Sequence, residues 1–379
     1  TTKENKKIAF VEGLPSKGYK KFKLANKKNT ILDAKIHLDG YRMRTPFYNV
    51  QFNEQGFIEQ LYDIEYEREI VQEGEMINLL RMYEDKPIYY DNWDIDIFYT
   101  EKYWDVDQVE SFEWIENGPV RATVEIKRKV SRSIITQKIH FYVQHRRIDF
   151  ETYVDWKESQ HLLKVHFPVD VHTDEATFDI QFGNLTRKTH QNTSWDRARF
   201  ESCGQKWMDL SEGHYGVSLM NDSKYGHSVH ESNMALTLIK SGIEPNPTTD
   251  QEEHLFTYAL YPHGGTWKEA KTVEEAYHLN VPVIVAKGKC QYDEKSYLWV
   301  DQDNIIIETI KEAEDGNGFI IRMYESENAR TKAVLKINLD FEKAYTCNLI
   351  EEVEEELSII DNKIEVVIKP YEILSIKCI

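Results

Sequence analysis

Residues 84–96, EDKPIYYDNWDID, combine carboxylates and aromatic rings more densely than any other stretch of the sequence. Carboxylates accept hydrogen bonds from sugar hydroxyls, and an aromatic face stacks on the C–H face of a sugar ring. Asp91, Asp94, Asp96 and Trp93 therefore have the composition of a carbohydrate site. The alternative interpretation is an acidic loop that Trp93 pins into the core. Two of the carboxylates could also act as the acid and nucleophile of a glycosidase, which requires a defined separation that sequence spacing does not give.

A second polar cluster occupies residues 221–233, NDSKYGHSVHESN. Gly226 allows a tight turn, and such a turn would present neighbouring side chains on a loop, where binding residues are common. These side chains are Asn221, Asp222, Lys224, Tyr225 and His227. His227 and His230 are poorly placed to share one metal ion, because residues i and i+3 of a strand point to opposite faces. We therefore predict no metal site in this chain.

A third stretch, residues 187–212, mixes basic, acidic and aromatic side chains, among them Trp195 and Trp207. This composition suits either an interface with another domain or a sugar contact, and both interpretations stay open. The sequence contains no G-x-S-x-G, Walker, H-E-x-x-H or G-x-G-x-x-G motif. The usual markers of acyl transfer, P-loop phosphoryl transfer and dinucleotide chemistry are therefore missing.

The elements that must position these clusters are indicated by alternation of apolar and polar residues. Residues 135–143 alternate, a polar break follows, and residues 148–156 alternate again, which predicts a hairpin with one buried face. The same period recurs at 120–127, 163–167, 364–368 and 374–378. Helical spacing is scarce, although residues 66–80 could hold a short helix that Gly74 interrupts. Runs of strands without interleaved helices predict an all-β fold of antiparallel sandwiches.

The chain has 379 residues and a formal net charge of −18. This surplus of negative charge predicts neither nucleic acid nor an anionic membrane as partner, since both require concentrated Lys and Arg. The sequence has no run of 18 apolar residues and no signal-peptide core. Four widely spaced cysteines favour a reducing compartment, so we predict a cytoplasmic location. Because the sequence opens at Thr1, we expect a piece of a longer polypeptide.

Several long motifs in fixed order point to one family. Residues 182–226, FGNLTRKTHQNTSWDRARFESCGQKWMDLSEGHYGVSLMNDSKYG, are followed by HLFTYALYPH. Earlier stretches fit the same order, namely VEGLPSKGYKKF, EDKPIYYDNWDID, ENGPVRATVEI and RRIDFETYVDWKE. Together they resemble the C-terminal part of glycoside hydrolase family 38, the α-mannosidases. The resemblance covers nearly the whole chain and is least distinctive over the last 90 residues.

The resemblance implies a parent enzyme with an N-terminal β/α barrel, a helical segment and C-terminal β-sandwiches. It implies a retaining glycosidase whose zinc, held by His and Asp side chains, and whose Asp nucleophile belong to the barrel. The barrel is not in this sequence, so no catalytic residue, metal ligand or cofactor is expected here. Residues 25–285 should form an antiparallel supersandwich like that of galactose mutarotases, and residues 286–379 a small C-terminal β-sandwich. Residues 1–24 should be a linker or strand that joins the small sandwich.

The expected function is that of the non-catalytic C-terminal region of a retaining α-mannosidase, which removes terminal α-linked mannose from glycans. The chain would support the barrel and line its substrate pocket, so its partners would be that barrel and a mannose-containing glycan, with a homo-oligomer left open. Residues expected at the pocket rim are Trp93, Asp94, Asp96, Asn221, Asp222, Lys224, Tyr225 and His227. The alternatives are a free-standing carbohydrate-binding module and a small sugar enzyme resembling aldose epimerases.

Overall fold

The computed structural model of the chain describes residues 7–23 and 36–379. Residues 1–6 and 24 of the predicted linker, and residues 25–35 of the predicted supersandwich, lie outside this description. The described residues divide into two compact units. Unit 1 comprises 7–10, 36–179 and 186–282, and unit 2 comprises 11–23, 180–185 and 283–379. No helix in the described ranges has the length and apolar character needed to cross a membrane.

Antiparallel strands dominate both units, and helices are few. The first strands are β1 (Gly18–Lys20), β2 (His37–Asp39), β3 (Arg42–Arg44), β4 (Tyr48–Phe52), β5 (Ile58–Asp63), β6 (Arg68–Glu69), β7 (Leu79–Glu84), β8 (Tyr103–Asp105), β9 (Val109–Asn117), β10 (Arg121–Val130), β11 (Ser133–Tyr142), β12 (Ile148–Asp155), β13 (His161–Pro168), β14 (Glu175–Ile180) and β15 (Gly183–Lys188). The later ones are β16 (Ser202–Cys203), β17 (Trp207–Glu212), β18 (Tyr215–Asn221), β19 (Gly226–His230), β20 (Asn233–Ser241), β21 (Glu253–Gly264), β22 (Glu294–Ser296), β23 (Leu298–Val300), β24 (Ile305–Glu312), β25 (Phe319–Glu325), β26 (Thr331–Ile337), β27 (Ala344–Cys347), β28 (Val353–Leu357), β29 (Lys363–Ile368) and β30 (Ile373–Cys378). A 3₁₀ helix covers Ile97–Glu101, and the α-helices are α1 (Ser194–Arg197) and α2 (Thr272–Asn280).

Unit 1 is built on three sheets that share one apolar core. A nine-stranded sheet has the order β15-β14-β17-β18-β21-β12-β11-β10-β9, and a six-stranded sheet has the order β16-β19-β20-β13-β7-β8. The five-stranded sheet runs from β2 to β6 in chain order. Buried side chains of all three sheets, such as Phe150, Val165 and Val50, belong to the same cluster. The predicted all-β antiparallel class is therefore confirmed.

The alternation in the sequence sets the register of the central strands. Val124 of β10 lies opposite Ile139 of β11, which in turn lies opposite Phe150 of β12. All three side chains are fully buried. Because side chains alternate between the faces of a strand, a slip by one residue would expose this whole row to water. The predicted hairpin of β11 and β12 is confirmed by this pairing.

Unit 2 has its own, smaller core. One sheet has the order β23-β26-β29 and another the order β24-β25-β30-β27-β28, and Leu298, Ile321 and Leu335 are among the side chains buried in the shared core. β1 pairs with β22, so that Tyr19 lies opposite Lys295.

The helix considered for residues 66–80 is wrong. This segment holds the short strand β6, a turn at Gly74 and the start of β7. Gly74 has a φ of +79° and Asn78 a φ of +56°, a backbone conformation that interrupts a right-handed helix. Ile70, Val71 and Ile77 are buried nevertheless, because the segment lies against the core of unit 1.

Candidate functional site

The loop between β7 and β8, together with β8 itself, exposes a row of aromatic side chains. We call these residues the aromatic surface: Tyr89, Tyr90, Trp93, Phe98, Tyr103 and Trp104, each 43–76% exposed. The rings of Tyr90 and Trp93 are stacked, with centroids 5.6 Å apart and planes at 30°. Exposed rings of this kind can stack on a sugar or pack against another protein surface.

Asp91 attaches the loop between β7 and β8 to residues 243–244, which follow β20. Its carboxylate accepts hydrogen bonds from the backbone N–H groups of Ile243 and Glu244, at 2.9 and 2.7 Å. Burial acts to raise the pKa of Asp91, but these two donors outweigh it and hold the pKa below its ordinary value. Trp93, by contrast, is 76% exposed. The interpretation in which Trp93 pins the loop into the core is therefore wrong, and the acidic residue does the pinning.

Asp94 and Asp96 shape the loop through short-range hydrogen bonds. Asp94 Oδ1 accepts from the N–H of Ile95 at 2.9 Å, and Asp96 Oδ2 accepts from the N–H of Ile88 at 3.2 Å. Asp96 also precedes the 3₁₀ helix Ile97–Glu101. Asp94 remains exposed and Asp96 half-buried, so each keeps oxygen atoms that a sugar hydroxyl can reach.

Asn221 and His227 do not lie at a solvent-facing rim, so the prediction is corrected for both. Asn221 donates from Nδ2 to the carbonyl of Gln205 at 2.8 Å and accepts from the N–H of Lys224 at 2.8 Å. His227 is fully buried, with Nδ1 3.2 Å from the carbonyl of Tyr225 and Nε2 3.4 Å from Asn221 Nδ2. Their polar groups are used inside the fold, because buried polar atoms need partners. Burial lowers the pKa of His227 to about 4.

The other members of this stretch are more accessible. Asp222 accepts from the N–H of Thr257 at 2.9 Å, which ties the loop to β21. Lys224 lies 4.3 Å from the ring centre of Phe256, and burial lowers its pKa. Tyr225 is 49% exposed. Among the described residues, no hydrogen bond, ion pair or ring contact joins this stretch directly to Trp93, Asp94 or Asp96.

A buried ion pair, which the sequence did not reveal, links the two regions indirectly. Lys164 of β13 has no exposed side-chain surface and pairs with Glu201, while its Nζ donates to Ser228 Oγ at 2.9 Å. Tyr99 of the 3₁₀ helix donates its hydroxyl to the same Glu201 oxygen at 2.5 Å. Lys164 contacts Glu201, just before β16, and Ser228 of β19. Through Glu201 it is also linked to Tyr99, in the 3₁₀ helix that carries Phe98. We call Lys164, Glu201, Tyr99 and Ser228 the lysine hub.

A second buried group lies next to this hub on β13. Tyr83 Oη is 2.7 Å from His166 Nε2, and Asn233 Nδ2 is 3.2 Å from His166 Nδ1. Burial, followed by the nearby charge of Lys164, holds the pKa of His166 well below its ordinary value. Both sides of β13 are thus covered, one by the core and one by polar groups. In the sequence HLLKVHFP, Leu163, Val165 and Phe167 alternate with the polar Lys164 and His166, so the pattern indicates only one buried face and the burial of the polar face was missed.

Trp195 adds a further exposed ring. It lies in α1, whose N-terminus is capped by Thr193 and Asp196 through reciprocal hydrogen bonds. Its side chain is 75% exposed. This finding agrees with both interpretations of residues 187–212, an interface or a sugar contact.

No group of three or more His, Cys, Asp and Glu side chains suited to a metal occurs within residues 7–23 and 36–379. The described residues therefore do not fit the zinc that the family resemblance implies. Cys203, Cys290, Cys347 and Cys378 are all free.

The fold defines a protein region of antiparallel β-sandwiches, and comparison with known proteins gives the family. Residues 43–248 match the model described as "Glycosyl hydrolases family 38 C-terminal domain". Residues 304–376 match "Glycosyl hydrolases family 38 C-terminal beta sandwich domain". The chain belongs to glycoside hydrolase family 38 and is a C-terminal region of that family, as its motifs predicted.

Two curated relatives of this chain are α-mannosidases. Alpha-mannosidase G of Dictyostelium discoideum is 34% identical over 349 residues, which are 88% of this chain and 32% of that protein. Alpha-mannosidase 2C1 of Homo sapiens is 33% identical over 353 residues, 91% of this chain and 34% of that protein. The chain thus spans about a third of the length of the curated relatives it matches.

A solved structure supports the fold. The crystal structure of an alpha-mannosidase from Enterococcus faecalis V583 superposes with a TM-score of 0.72 at 17% identity, covering 89% of this chain and 42% of that one. At this identity the similarity establishes the fold, and the predicted fold class is confirmed by it.

Proposed function

We propose that this chain is the non-catalytic C-terminal region of a retaining α-mannosidase that removes terminal α-linked mannose from glycans. Its task is to support a catalytic barrel formed by the preceding part of the protein and to contribute to the rim of the substrate pocket. The observation that carries this proposal is the pair of family 38 matches in a chain that spans about a third of its relatives.

The aromatic surface is the face that this proposal assigns to the barrel and the glycan. Six exposed rings lie close together in sequence on one loop and one short strand, far more than scattered surface residues would give. Hydrogen bonds of Asp91 and of Tyr99 in the lysine hub attach that loop to other parts of unit 1, so the rings are held in a fixed arrangement. Of the residues predicted at the rim, Trp93, Asp94, Asp96, Asp222, Lys224 and Tyr225 keep this role as proposals.

The remaining features of the proposed parent enzyme follow from the family. The zinc, the Asp nucleophile and the acid/base would belong to the barrel, and the reaction would retain the anomeric configuration through a glycosyl-enzyme intermediate. The proposal includes a cytoplasmic location, to which four free cysteines lend support.

A chimeric enzyme tests this proposal. The C-terminal third of the Dictyostelium alpha-mannosidase G is replaced by this chain, and hydrolysis of 4-nitrophenyl α-mannopyranoside is measured. We expect the chimera to be active and the same relative without any C-terminal region to be inactive. Trp93→Ala should lower kcat/KM of the chimera by about tenfold, the usual effect of removing a central aromatic contact.

Trp299→Ala is the matched control, because Trp299 is also exposed but lies in unit 2. It should leave kcat/KM of the chimera within about twofold. Full activity of the truncated relative would show that no C-terminal region is needed. Equal effects of the two Trp variants would remove the role given to the aromatic surface.

A further inference from the structure

A surface cavity of about 480 Å³ opens in unit 1 beside the end of β21. It contains none of the residues predicted for the sugar site. Four carboxylates line it, against two basic side chains, which gives the lining a formal charge of −2 with His263 neutral. The lining side chains used below are Glu65, Glu269, Glu274, Glu275, His263 and the rings of Tyr66 and Tyr261.

The carboxylates differ in how far they are already paired. Glu65 accepts from Arg146 Nη1 at 2.7 Å, and Glu275 lies 2.9 Å from His145 Nε2. Glu269 accepts from the N–H of Thr266 at 2.8 Å. Glu274 is different, since its side chain is 55% exposed and the ion pair at its carboxylate is with His278 at 3.9 Å. It is the carboxylate with the most capacity for an added cation.

A second observation, independent of the carboxylates, concerns His263 in the cavity wall. Its side chain is 2% exposed and its Nε2 lies 2.9 Å from Asp209 Oδ2. The carboxylate of Asp209 also accepts hydrogen bonds from Ser211 and Ser218. Because an ionised carboxylate has only acceptor atoms, His263 donates to it through Nε2. In the neutral ring, Nδ1 then carries a lone pair. This buried Nδ1 has no hydrogen-bond partner among the described residues.

A buried acceptor without a donor calls for a ligand that donates. The surplus of carboxylates adds a requirement for positive charge. The two tyrosine rings supply apolar surface in the lining, and the guanidinium of Arg146 already lies 5.2 Å from the centre of the Tyr66 ring. We propose that this cavity binds a small organic cation that carries a primary ammonium group. The ammonium donates to His263 Nδ1 and lies among the carboxylates, with Glu274 as its main partner at the mouth. This site is independent of the mannosidase proposal.

Calorimetric titration of the 379-residue chain with 1,4-diaminobutane at neutral pH and low ionic strength tests the site. We expect saturable binding with one equivalent of ligand and none with 1,4-butanediol, which has the same length without charge. Added salt should weaken the binding, because the attraction at the mouth is partly exposed to solvent. Nitrogen NMR of the imidazoles should show a change at His263 on titration.

Glu274→Gln should weaken binding about fivefold, the effect of losing one half-exposed charge pair. Glu54→Gln removes the same charge from an exposed turn elsewhere in unit 1 and should leave the affinity unchanged. Both substitutions are at the surface, so folding is expected to persist and is checked by circular dichroism. Equal binding of the diol, no saturation by the diamine up to about 20 mM, or an unchanged affinity in Glu274→Gln overturns the proposal.

Discussion

Lys164→Met is expected to lower the free energy of unfolding by about 3–5 kcal/mol, because it removes one partner of a buried ion pair and leaves the other behind. Lys164 is inaccessible and Glu201 is nearly so. The carboxylate of Glu201 would keep the hydroxyl of Tyr99 but lose its only cation in the hub. Urea unfolding, followed by circular dichroism, measures the change.

The pair Lys138 and Glu151 provides the matched control. Its two side chains are 31% and 43% exposed, so Lys138→Met should cost less than about 1 kcal/mol. The double variant Lys164→Met with Glu201→Gln should recover part of the loss, since no buried charge then lacks a partner. If Lys164→Met unfolds within about 1 kcal/mol of the original chain, the lysine hub has no structural role.

The stability of the chain should fall as the pH decreases from 6.5 towards 4, and His227 should be one cause. Burial holds the pKa of folded His227 at about 4, whereas the unfolded residue has a value near 6.5. Between these values the unfolded chain binds the proton and the folded chain does not, so acid favours unfolding. The contribution of His227 is fully present above pH 6.5, and on the order of 3 kcal/mol is lost by pH 4. His166 acts in the same direction.

His227→Gln isolates this contribution, since other groups also titrate in the window. Urea unfolding at several pH values should show a weaker pH dependence for His227→Gln than for the original chain. His230→Gln serves as the matched control, because it replaces an exposed histidine on the same strand. Identical slopes for all three proteins would mean that His227 binds protons equally in the folded and unfolded states, which contradicts a lowered pKa in the fold.

The sequence allowed the central strands β10, β11 and β12 of the nine-stranded sheet to be predicted because apolar residues recur at every second position on the buried face of each. Val124, Ile139 and Phe150 illustrate this, since their alternation is enforced by the core. Strand β21 passes through Pro262 and ends at Gly264. The carbonyl of Pro262, and hence its nitrogen, faces the side chain of Arg146 rather than β12, which begins only at Ile148. No ladder hydrogen bond is therefore lost at this proline.

The candidate site was harder to predict, since its residue types were visible but their burial was not. Hydrophobicity suggests a buried Trp93 and an exposed Asp91, whereas Asp91 is buried and Trp93 is exposed. Asp91 is buried because it accepts hydrogen bonds from the N–H groups of residues 243–244, which lie far along the chain. Lys164 and Glu201 are 37 residues apart, so no local pattern indicates their contact. Helix α2 buries only Thr272, Val273 and Ala276, which is too few for a helical period to be recognised.

The placement of catalysis outside this chain is tested most directly by assaying the purified 379-residue chain on 4-nitrophenyl α-mannopyranoside, with and without added zinc. The human alpha-mannosidase 2C1 serves as the positive control for substrate and conditions. We expect no hydrolysis above the rate in buffer under either condition. Hydrolysis at a rate near that of the human enzyme, abolished by a zinc chelator, would contradict the assignment of this chain as a non-catalytic region.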